Sequence, residues 1–273
     1  MSSHDRSVAS QIPITTRSSS LRGMTTTERA ETSTFRLEGD EVTIPVEVRS
    51  AKMVAAQFLV DADAAQRLID YSGLRIARQM GRKAMLALSA IAYADNDLGP
   101  YHEFAVALVV EPHDAVPRAK SSWKRPTTLI HRLPVNQQFT CKVGKGLWGF
   151  PKWVCDIDYV DRGGRTDCVV TDDGELAVSL EVSRGLVPLP AVETEMQAYA
   201  WDDGILRRTP WTTRNQLVRG RLRGADVRLG PNHPMADELR SLGLPTKPLM
   251  TTTVGVMSAT FGAPEVVESS RLT

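Results

Sequence analysis

Short apolar runs separated by turn residues make up most of the chain after residue 34. Many of these runs alternate apolar and polar side chains or are rich in β-branched residues, which is typical of β-strands. The runs that predict strands are Val42–Val48, Met85–Tyr93, Phe104–Val110, Phe139–Val143, Trp153–Val160, Asp167–Thr171, Glu175–Val182, Gln216–Arg223 and Thr252–Thr260. Turn residues at 161–164 (DRGG) and 172–174 (DDG) predict that residues 153–182 form consecutive antiparallel hairpins.

Two segments predict short helices, one from about Ala62 to Asp70 and one from about Pro234 to Leu242. The residues suited to cap or stop them are Asp61 and Gly73 for the first, and Asn232 or His233 and Gly243 for the second. Because strands outnumber helices, we predict a mainly β (α+β) fold, with residues 35–273 forming one antiparallel, barrel-like domain that carries a few short helices.

Residues 1–34 differ from the rest, being rich in Ser, Thr and Arg and poor in acidic residues. Such a segment buries too little apolar surface to offset the entropy of ordering, so we predict a disordered tail. Two other interpretations stay open. The natural start is Met24, or the segment is an organellar transit peptide.

Charge and cysteine content narrow the function classes. The 33 Lys and Arg residues nearly balance the 32 Asp and Glu residues, which argues against a nucleic acid or an anionic membrane as partner. No apolar run approaches the roughly 20 residues of a membrane span, and no secretory apolar stretch is present. The three cysteines form no C-x-x-C pair, which fits free thiols in a reducing compartment, so we expect a cytoplasmic protein.

Familiar motifs for cofactors and metals are incomplete in this chain. Residues 144–149 spell G-x-G-x-x-G, but the segment after them predicts a strand, whereas a dinucleotide site needs a helix there. The calcium-like loop that begins at Asp95 has Val106 where a bidentate glutamate is required. No H-x-x-x-H pair and no G-x-S-x-G elbow occurs. We therefore expect no metal and no organic cofactor.

The most unusual stretch is LWGFPKW, in which Trp148, Phe150 and Trp153 flank the single Lys152. A lysine amine can attack a ketone to form a Schiff base that withdraws electrons from a neighbouring bond. A free lysine has a pKa of about 10.4, so its neutral form costs about 4.6 kcal/mol at pH 7. Burial among aromatic walls lowers a lysine pKa, and this cluster is therefore a plausible site for amine catalysis.

A second interpretation of the same stretch stays open. In a strand that starts at Lys152, strict alternation places Lys152 with Asp156 and Asp158 on the more polar face, as a solvated lysine. A barrel whose interior is a polar site would reconcile the two interpretations. The alternative function is then a non-catalytic barrel that binds a hydrophobic small molecule, with Lys152 pairing an acidic group.

At this stretch the sequence resembles the acetoacetate decarboxylase family. The likeness lies in the order and spacing of Val143–Lys152 (VGKGLWGFPK), in which an aromatic-Pro pair precedes the lysine. Asp97–Glu103 (DLGPYHE) resembles the family segment that ends in an active-site glutamate, and Asn232–Val267 resembles the closing helix and strand. The likeness runs loosely from about residue 50 to 267, and it is most specific at Gly149–Lys152.

The resemblance implies a mainly antiparallel, barrel-like fold with a buried pocket, no metal or organic cofactor, and a homo-oligomer. It implies that Lys152 forms the Schiff base and that Glu103 assists proton transfer. The expected function is a carbon–carbon lyase that decarboxylates a small 2- or 3-oxo acid through a lysine imine. An aldol condensation or dehydration on pyruvate-like substrates is the alternative within the same chemistry.

The sequence departs from the family pattern at several positions. Trp153 stands where decarboxylases commonly carry a second lysine, and Gly146 replaces an acidic residue. An arginine and a glutamate of the family fall at or near Val60 and Leu88. Any lowering of the Lys152 pKa must then rest on burial alone, and the groups that handle the substrate carboxylate are missing or relocated.

Further pocket candidates come from the residues themselves. Trp148, Phe150 and Trp153 are expected to wall the pocket, although plain core aromatics would look the same in sequence. His102 is a candidate for shared proton transfer, with a structural role beside its turn as the alternative. Arg132 is a candidate to bind a carboxylate, with a surface role as its alternative.

Overall fold

The computed structural model describes residues 32–37, 39–79, 81–113 and 127–267, which are mostly strand. Its strands are β1 (Ser33–Leu37), β2 (Asp40–Ile44), β3 (Val46–Asp61), β4 (Arg78–Gln79), β5 (Lys83–Asn96), β6 (Tyr101–Val109), β7 (Thr127–Arg132), β8 (Asp156–Asp161), β9 (Arg165–Asp172), β10 (Glu175–Ser183), β11 (Val187–Pro188), β12 (Val192–Asp202), β13 (Ile205–Leu222), β14 (Ala225–Leu229), β15 (Met250–Phe261) and β16 (Glu265–Val266). Its α-helices are α1 (Ala62–Ile69), α2 (Gln138–Trp148) and α3 (Pro234–Ser241). Within these ranges no helix combines the length and the apolar character needed to cross a bilayer.

Seven strands form a closed ring, which confirms the predicted barrel-like domain. Hydrogen bonding runs in the order β13-β12-β7-β6-β5-β3-β15, and β15 pairs with β13 to close the ring. All these pairs are antiparallel except β7 with β12, which are parallel. The sheet is therefore mixed at one seam rather than antiparallel throughout.

A second, four-stranded antiparallel sheet has the order β14-β10-β9-β8. Its β8–β9 and β9–β10 connections are the two turns predicted from sequence, and the second uses positive φ at Asp173 (48°) and Gly174 (80°). The predicted hairpins are confirmed because their turn residues specify them locally.

Strand pleating divides the apolar side chains of the barrel between two cores. On β3, Val54, Ala56 and Phe58 belong to a core shared with α1, α3 and the four-stranded sheet. The intervening Met53, Ala55 and Gln57 face the barrel interior, where they line a cavity. The period-two alternation of a long strand thus provides one packed face and one face for a site.

The two predicted helices are confirmed. Asp61 caps α1 by accepting hydrogen bonds from the backbone N–H of Asp63 (3.0 Å) and Ala64 (2.9 Å). Of the two cap candidates for α3, His233 caps it, because its Nδ1 accepts from the N–H of Met235 at 3.1 Å.

The predicted strand Phe139–Val143 is wrong, because these residues lie in helix α2. Gln137 caps the helix by accepting from the N–H of Thr140 at 2.6 Å, and Gly149 ends it with φ 68°. The buried positions of the helix recur at helical spacing, as Thr140, Cys141, Val143, Gly144, Leu147 and Trp148. A five-residue apolar run is too short to distinguish this period from that of a buried strand.

Other predicted boundaries also shift. The predicted strand Trp153–Val160 begins only at Asp156, so Lys152 lies outside it. The run Val42–Val48 divides into β2 and β3 at Pro45. Strands β7 and β12 and the first half of β13 were not predicted. Most of the predicted tail lies outside the described residues, but Ser33 and Thr34 belong to β1.

Candidate active site

A cavity of about 240 Å³ occupies the interior of the barrel. Its walls come from β3, β5, β6, β7, β12, β13 and β15, and the segment from Trp148 to Lys152 contributes three side chains. Most lining side chains are apolar. Among the described lining residues, Lys152 is the one basic side chain and Glu103 is the one acidic side chain.

Lys152 sits in a tight turn that follows helix α2. Phe150 donates its N–H back to the carbonyl of Gly144 (3.0 Å), and Lys152 donates its own to the carbonyl of Phe150 (2.7 Å). The carbonyl of Pro151 accepts from Leu133 at 3.2 Å. The backbone on both sides of the lysine is thus fixed, and the side chain extends into the barrel rather than across a strand face.

Lys152 and Glu103 form a buried ion pair. Lys152 Nζ lies 2.8 Å from Glu103 Oε2, and the two side chains are only 4% and 8% exposed. Tyr93 donates its hydroxyl to Glu103 Oε1 at 3.1 Å. Lys152 Nζ also lies 3.4 Å from Thr140 Oγ1 and 5.2 Å from the centre of the Tyr101 ring. The ammonium and the carboxylate are therefore both partnered within a site from which bulk water is nearly excluded.

The balance of burial and charge at Lys152 differs from the expectation. Burial alone would lower the pKa of Lys152, but the charge of Glu103, the nearby Tyr101 and the hydrogen bond to Glu103 outweigh it, so the net pKa is raised. The expectation that burial lowers the Lys152 pKa is therefore wrong for the protein without a bound substrate. The resting amine is an ammonium ion, and Glu103 is the adjacent group that can accept its proton.

The two tyrosines beside the pair keep their protons near neutrality. Burial, followed by the charge of Glu103, raises the pKa of Tyr93 well above its usual value. Burial raises the pKa of Tyr101 to about 12, although the charge of Lys152 acts in the opposite direction. Their rings stack with centres 4.3 Å apart, so they form a rigid neutral wall that can donate hydrogen bonds.

The structure brings four of the six predicted site residues together. Lys152 and Glu103 pair directly, and Trp148 and Phe150 line the same cavity with ring centres 5.8 Å apart. The Trp148 indole donates to the carbonyl of Gly262 at 3.0 Å, which fixes its orientation.

Trp153 and His102 do not line the cavity, so the pocket prediction is corrected at these two positions. Trp153 packs against the core beside the four-stranded sheet, and its Nε1 donates to Asp172 Oδ2 at 2.9 Å. His102 Nδ1 lies 3.0 Å from the carbonyl oxygen of Ile157, away from the lysine. Both lie outside because neighbouring residues on an extended chain point to opposite sides, as Trp153 does from Lys152 and His102 from Glu103.

The positions where the family carries an arginine and a glutamate, and the carboxylate-binding candidate Arg132, also lie outside the cavity. Val60 and Leu88 are buried in the core beside the four-stranded sheet, and Gln57 and Ser89 are the nearby positions that face the cavity. Arg132 forms a two-point ion pair with Glu238 and does not line the cavity.

Several lining residues were not predicted from sequence. Tyr101 could have been found, because it lies two positions before Glu103 and so faces the same side of β6. Asn215, which lines the cavity, and Thr140, which contacts Lys152 Nζ from α2, carry no such signal, since β13 and α2 reach the site only through the tertiary fold. In the part of the chain that the structure describes, no cluster of three or more His, Cys, Asp or Glu side chains is arranged to hold a metal ion.

Comparison of the sequence and the structure with known proteins identifies the family of this chain. The sequence profile described as acetoacetate decarboxylase (ADC) matches residues 34–270. A comparison with curated proteins gives no match. Among solved structures, an acetoacetate decarboxylase is similar with a TM-score of 0.61 and 14% identity, over 82% of this chain and 89% of that chain.

Two further solved structures are also similar to this chain. The enduracididine biosynthesis enzyme MppR has a TM-score of 0.62 and 16% identity, over 83% of this chain and 89% of that chain. An acetoacetate decarboxylase-like enzyme from Sphingomonas wittichii has a TM-score of 0.53 and 15% identity, over 84% of this chain and 95% of that chain. At such low identities these structures establish the shared fold alone. Because the family profile matches residues 34–270 of a 273-residue chain, the chain belongs to the acetoacetate decarboxylase family.

Proposed function

We propose that this protein is a Schiff-base-forming lyase in which Lys152 attacks the oxo carbon of a small oxo acid. The observation that carries the proposal is the isolated, buried pair of Lys152 and Glu103, 2.8 Å apart at the wall of a mostly apolar cavity. A lysine on the protein surface is exposed to water and has no carboxylate partner held at a fixed position. Catalytic amines need both a route for losing a proton and a site from which water is excluded.

Glu103 takes the proton from the Lys152 ammonium when the substrate enters, which leaves a free amine beside the oxo carbon. The amine forms a C–N bond, and the resulting carbinolamine loses its hydroxyl as water after Glu103 returns a proton. The product is an iminium ion, in which the nitrogen attracts electrons from the neighbouring carbon. The neutral Tyr93, which donates its hydroxyl to Glu103, holds the carboxyl group in position during both transfers.

For a 3-oxo acid, the bond between the carboxylate and the neighbouring carbon breaks, and its electron pair forms an enamine as carbon dioxide leaves. A proton then adds to the enamine carbon, and water hydrolyses the imine to release a ketone and regenerate Lys152. Glu103 is a carboxylate again after the dehydration, so it first takes up a proton from solvent water, and it is then the nearest described group able to deliver that proton to the enamine carbon.

An aldol condensation or dehydration on a pyruvate-like substrate is the second candidate. Trp153 occupies the sequence position at which decarboxylases commonly carry a second lysine, and its side chain lies outside the cavity. The pocket therefore lacks that additional cation. One similar MppR structure is described as complexed with the condensation product of pyruvate and imidazole 4-carboxaldehyde. In this chain the enamine derived from pyruvate would attack an aldehyde carbon instead of taking up a proton.

Reductive trapping tests the shared first step. Incubation with pyruvate or 3-oxobutanoate and borohydride is expected to place a stable adduct on Lys152, located by peptide mass mapping, and Lys152→Arg is expected to lose it. Lys142 serves as an internal control, because its ammonium pairs with the half-exposed Asp40 outside the cavity. Absence of any Lys152 adduct between pH 5 and 8 would instead favour the non-catalytic binding barrel. Carbon dioxide release measured against carbon–carbon bond formation separates the two reactions.

Gly144 allows helix α2 to approach the lysine closely. A Cβ at Gly144 would lie 2.5 Å from Lys152 Cδ and 2.7 Å from Cε. We expect Gly144→Ala to displace the amine and reduce the rate of imine trapping by about tenfold to a hundredfold. Alanine stabilises a helix by about 1 kcal/mol relative to glycine, which offsets the cost of displacing the lysine side chain. The melting temperature should therefore change little.

Gly146→Ala is the matched control in the same helix. A Cβ at Gly146 meets the flexible end of Leu37, at 2.6 Å from Cδ2, and not the lysine. Its trapping rate should remain close to that of the wild type. Equal trapping by Gly144→Ala and Gly146→Ala would show that the close approach at Gly144 has no catalytic consequence.

A further inference from the structure

The cavity is larger than the simplest oxo acids require. A protein cavity of about 150 Å³ accepts benzene with its six carbon atoms, so about 240 Å³ accommodates about ten non-hydrogen atoms by the same proportion. 3-Oxobutanoate and pyruvate have fewer atoms than that. The remaining space lies along β3, β5 and β6, where Ala55, Ala87 and Ala107 leave the wall smooth and apolar.

Polar groups return at the end of the cavity away from Lys152. Gln57 pairs with Ala87, and Ala87 pairs with Ala107, which lies four residues beyond Glu103 on β6. At about 3.3 Å per residue, this row of the barrel is about 13 Å from Glu103 along the strand. Asn215 faces the same cavity from β13, which lies two strands from β3 across β15.

The carboxamides of Gln57 and Asn215 are incompletely satisfied. Gln57 Oε1 and Asn215 Oδ1 are buried atoms without a hydrogen-bond partner among the described residues. An unpaired buried polar atom is destabilising, and an apolar side chain of the same shape would avoid that cost. The terminal torsions of Gln and Asn rotate within broad limits, so either carboxamide can turn toward a ligand in the cavity.

The described lining offers this end of the cavity no charge. A carboxylate placed there would lose its hydration without gaining a cation, which is strongly unfavourable. A carboxamide, in contrast, can both donate and accept hydrogen bonds to an uncharged group.

We propose that Gln57 and Asn215 bind an uncharged polar group at the distal end of the substrate. This assignment rests on the proposed function, in which Lys152 holds the oxo carbon. The substrate class is then an oxo acid with an apolar body of a few carbons and a terminal ester, ether, amide or hydroxyl group. A second carboxylate at that end is selected against.

Calorimetric binding of three matched 2-oxo acids tests the assignment. The probes are 2-oxoheptanoate, 2-oxoglutarate and the 5-methyl ester of 2-oxoglutarate, which differ in having an apolar, a charged or an uncharged polar end. We expect the ester to bind about threefold to tenfold more tightly than 2-oxoheptanoate, the effect of one neutral hydrogen bond, and 2-oxoglutarate to bind most weakly.

Gln57→Met and Asn215→Leu should each reduce the preference for the ester, so that the ester and 2-oxoheptanoate bind with nearly equal affinity. Gln216→Met is the control, because Gln216 is exposed and points away from the cavity on the same strand, and it should keep the preference. Removing an unpaired polar atom should not lower the melting temperature of either variant, which separates loss of recognition from misfolding. Tighter binding of 2-oxoglutarate, or an ester preference that survives in both variants, would overturn the assignment.

Borohydride trapping on the same samples separates this assignment from the proposed function. An ester preference without an adduct on Lys152 would refute the imine chemistry and retain distal recognition by the carboxamides. An adduct without an ester preference would refute the assignment of Gln57 and Asn215 and retain the lyase.

Discussion

Replacing Lys152 with methionine is expected to reduce turnover and imine trapping by about a thousandfold or more, since the nucleophile itself is lost. The same change leaves Glu103 buried without its cation. Removing one partner of a buried ion pair typically destabilises a protein by about 3 to 5 kcal/mol, so we expect a loss of that size in the free energy of unfolding at pH 7. Denaturant titration measures it.

The double variant Lys152→Met/Glu103→Gln is expected to recover most of that stability while remaining inactive. Neither residue then carries a charge that needs a partner. Arg214→Met is the control, because Arg214 and Glu193 form an exposed ion pair whose loss should destabilise little. Equal destabilisation in the single and the double variant would show that the two side chains do not act as a pair.

The stability that the Lys152–Glu103 ion pair contributes should decrease as the pH rises into the alkaline range. Because the pKa of Lys152 is raised in the folded protein, the contribution is fully present below the unfolded-state pKa of about 10.4 and is lost as the pH rises through the folded-state pKa. The wild type should therefore lose stability relative to the double variant as the solution becomes alkaline, and denaturant titration at several pH values measures this.

Glu103→Gln is expected to have opposite effects on the amine and on turnover. Burial lowers the pKa of Lys152, and the charge of Glu103 is the largest of the effects that raise it, so the variant should have a lower Lys152 pKa and more free amine at pH 7. Turnover should nevertheless fall by about a hundredfold to ten-thousandfold, because the acid–base group is lost. The pH dependence of trapping with pyruvate measures the pKa, and steady-state kinetics measure turnover.

Glu193→Gln is the matched control for this variant, because Glu193 is an exposed carboxylate paired with Arg214 on the neighbouring strand. It should leave the midpoint of trapping and the rate of turnover unchanged. A trapping midpoint in Glu103→Gln that stays in place or moves to higher pH would contradict the assigned electrostatics.

Local chemistry explains which parts of the fold could be predicted from the sequence. The β8–β9–β10 hairpins and the ends of α1 are specified by residues within a few positions of one another, such as Asp61 and the Asp173-Gly174 turn. Helix α2 was missed because a short buried helix and a short buried strand share the same apolar composition. The parallel seam between β7 and β12 carries no local signal, because its pairing joins residues about 70 positions apart.

The site itself was predictable only in part. The sequence around Lys152 and the family resemblance indicated the lysine and Glu103, but a strand was assumed where the chain makes a turn after α2. Trp153 was placed in the pocket because it belongs to the aromatic cluster around Lys152, and the lysine pKa was expected to depend on burial alone because Trp153 replaces the second lysine of the family. The raised pKa depends on Glu103, which lies 49 positions earlier in the chain and meets Lys152 only through the barrel.

The most direct test of the covalent role of Lys152 is a crystal structure of the protein after treatment with pyruvate and borohydride. We predict continuous electron density from Lys152 Nζ to the second carbon of pyruvate, with Glu103 no longer paired to an ammonium ion. Pyruvate bound without a bond to nitrogen, beside an intact Lys152–Glu103 ion pair, would contradict it and identify the barrel as a binding protein.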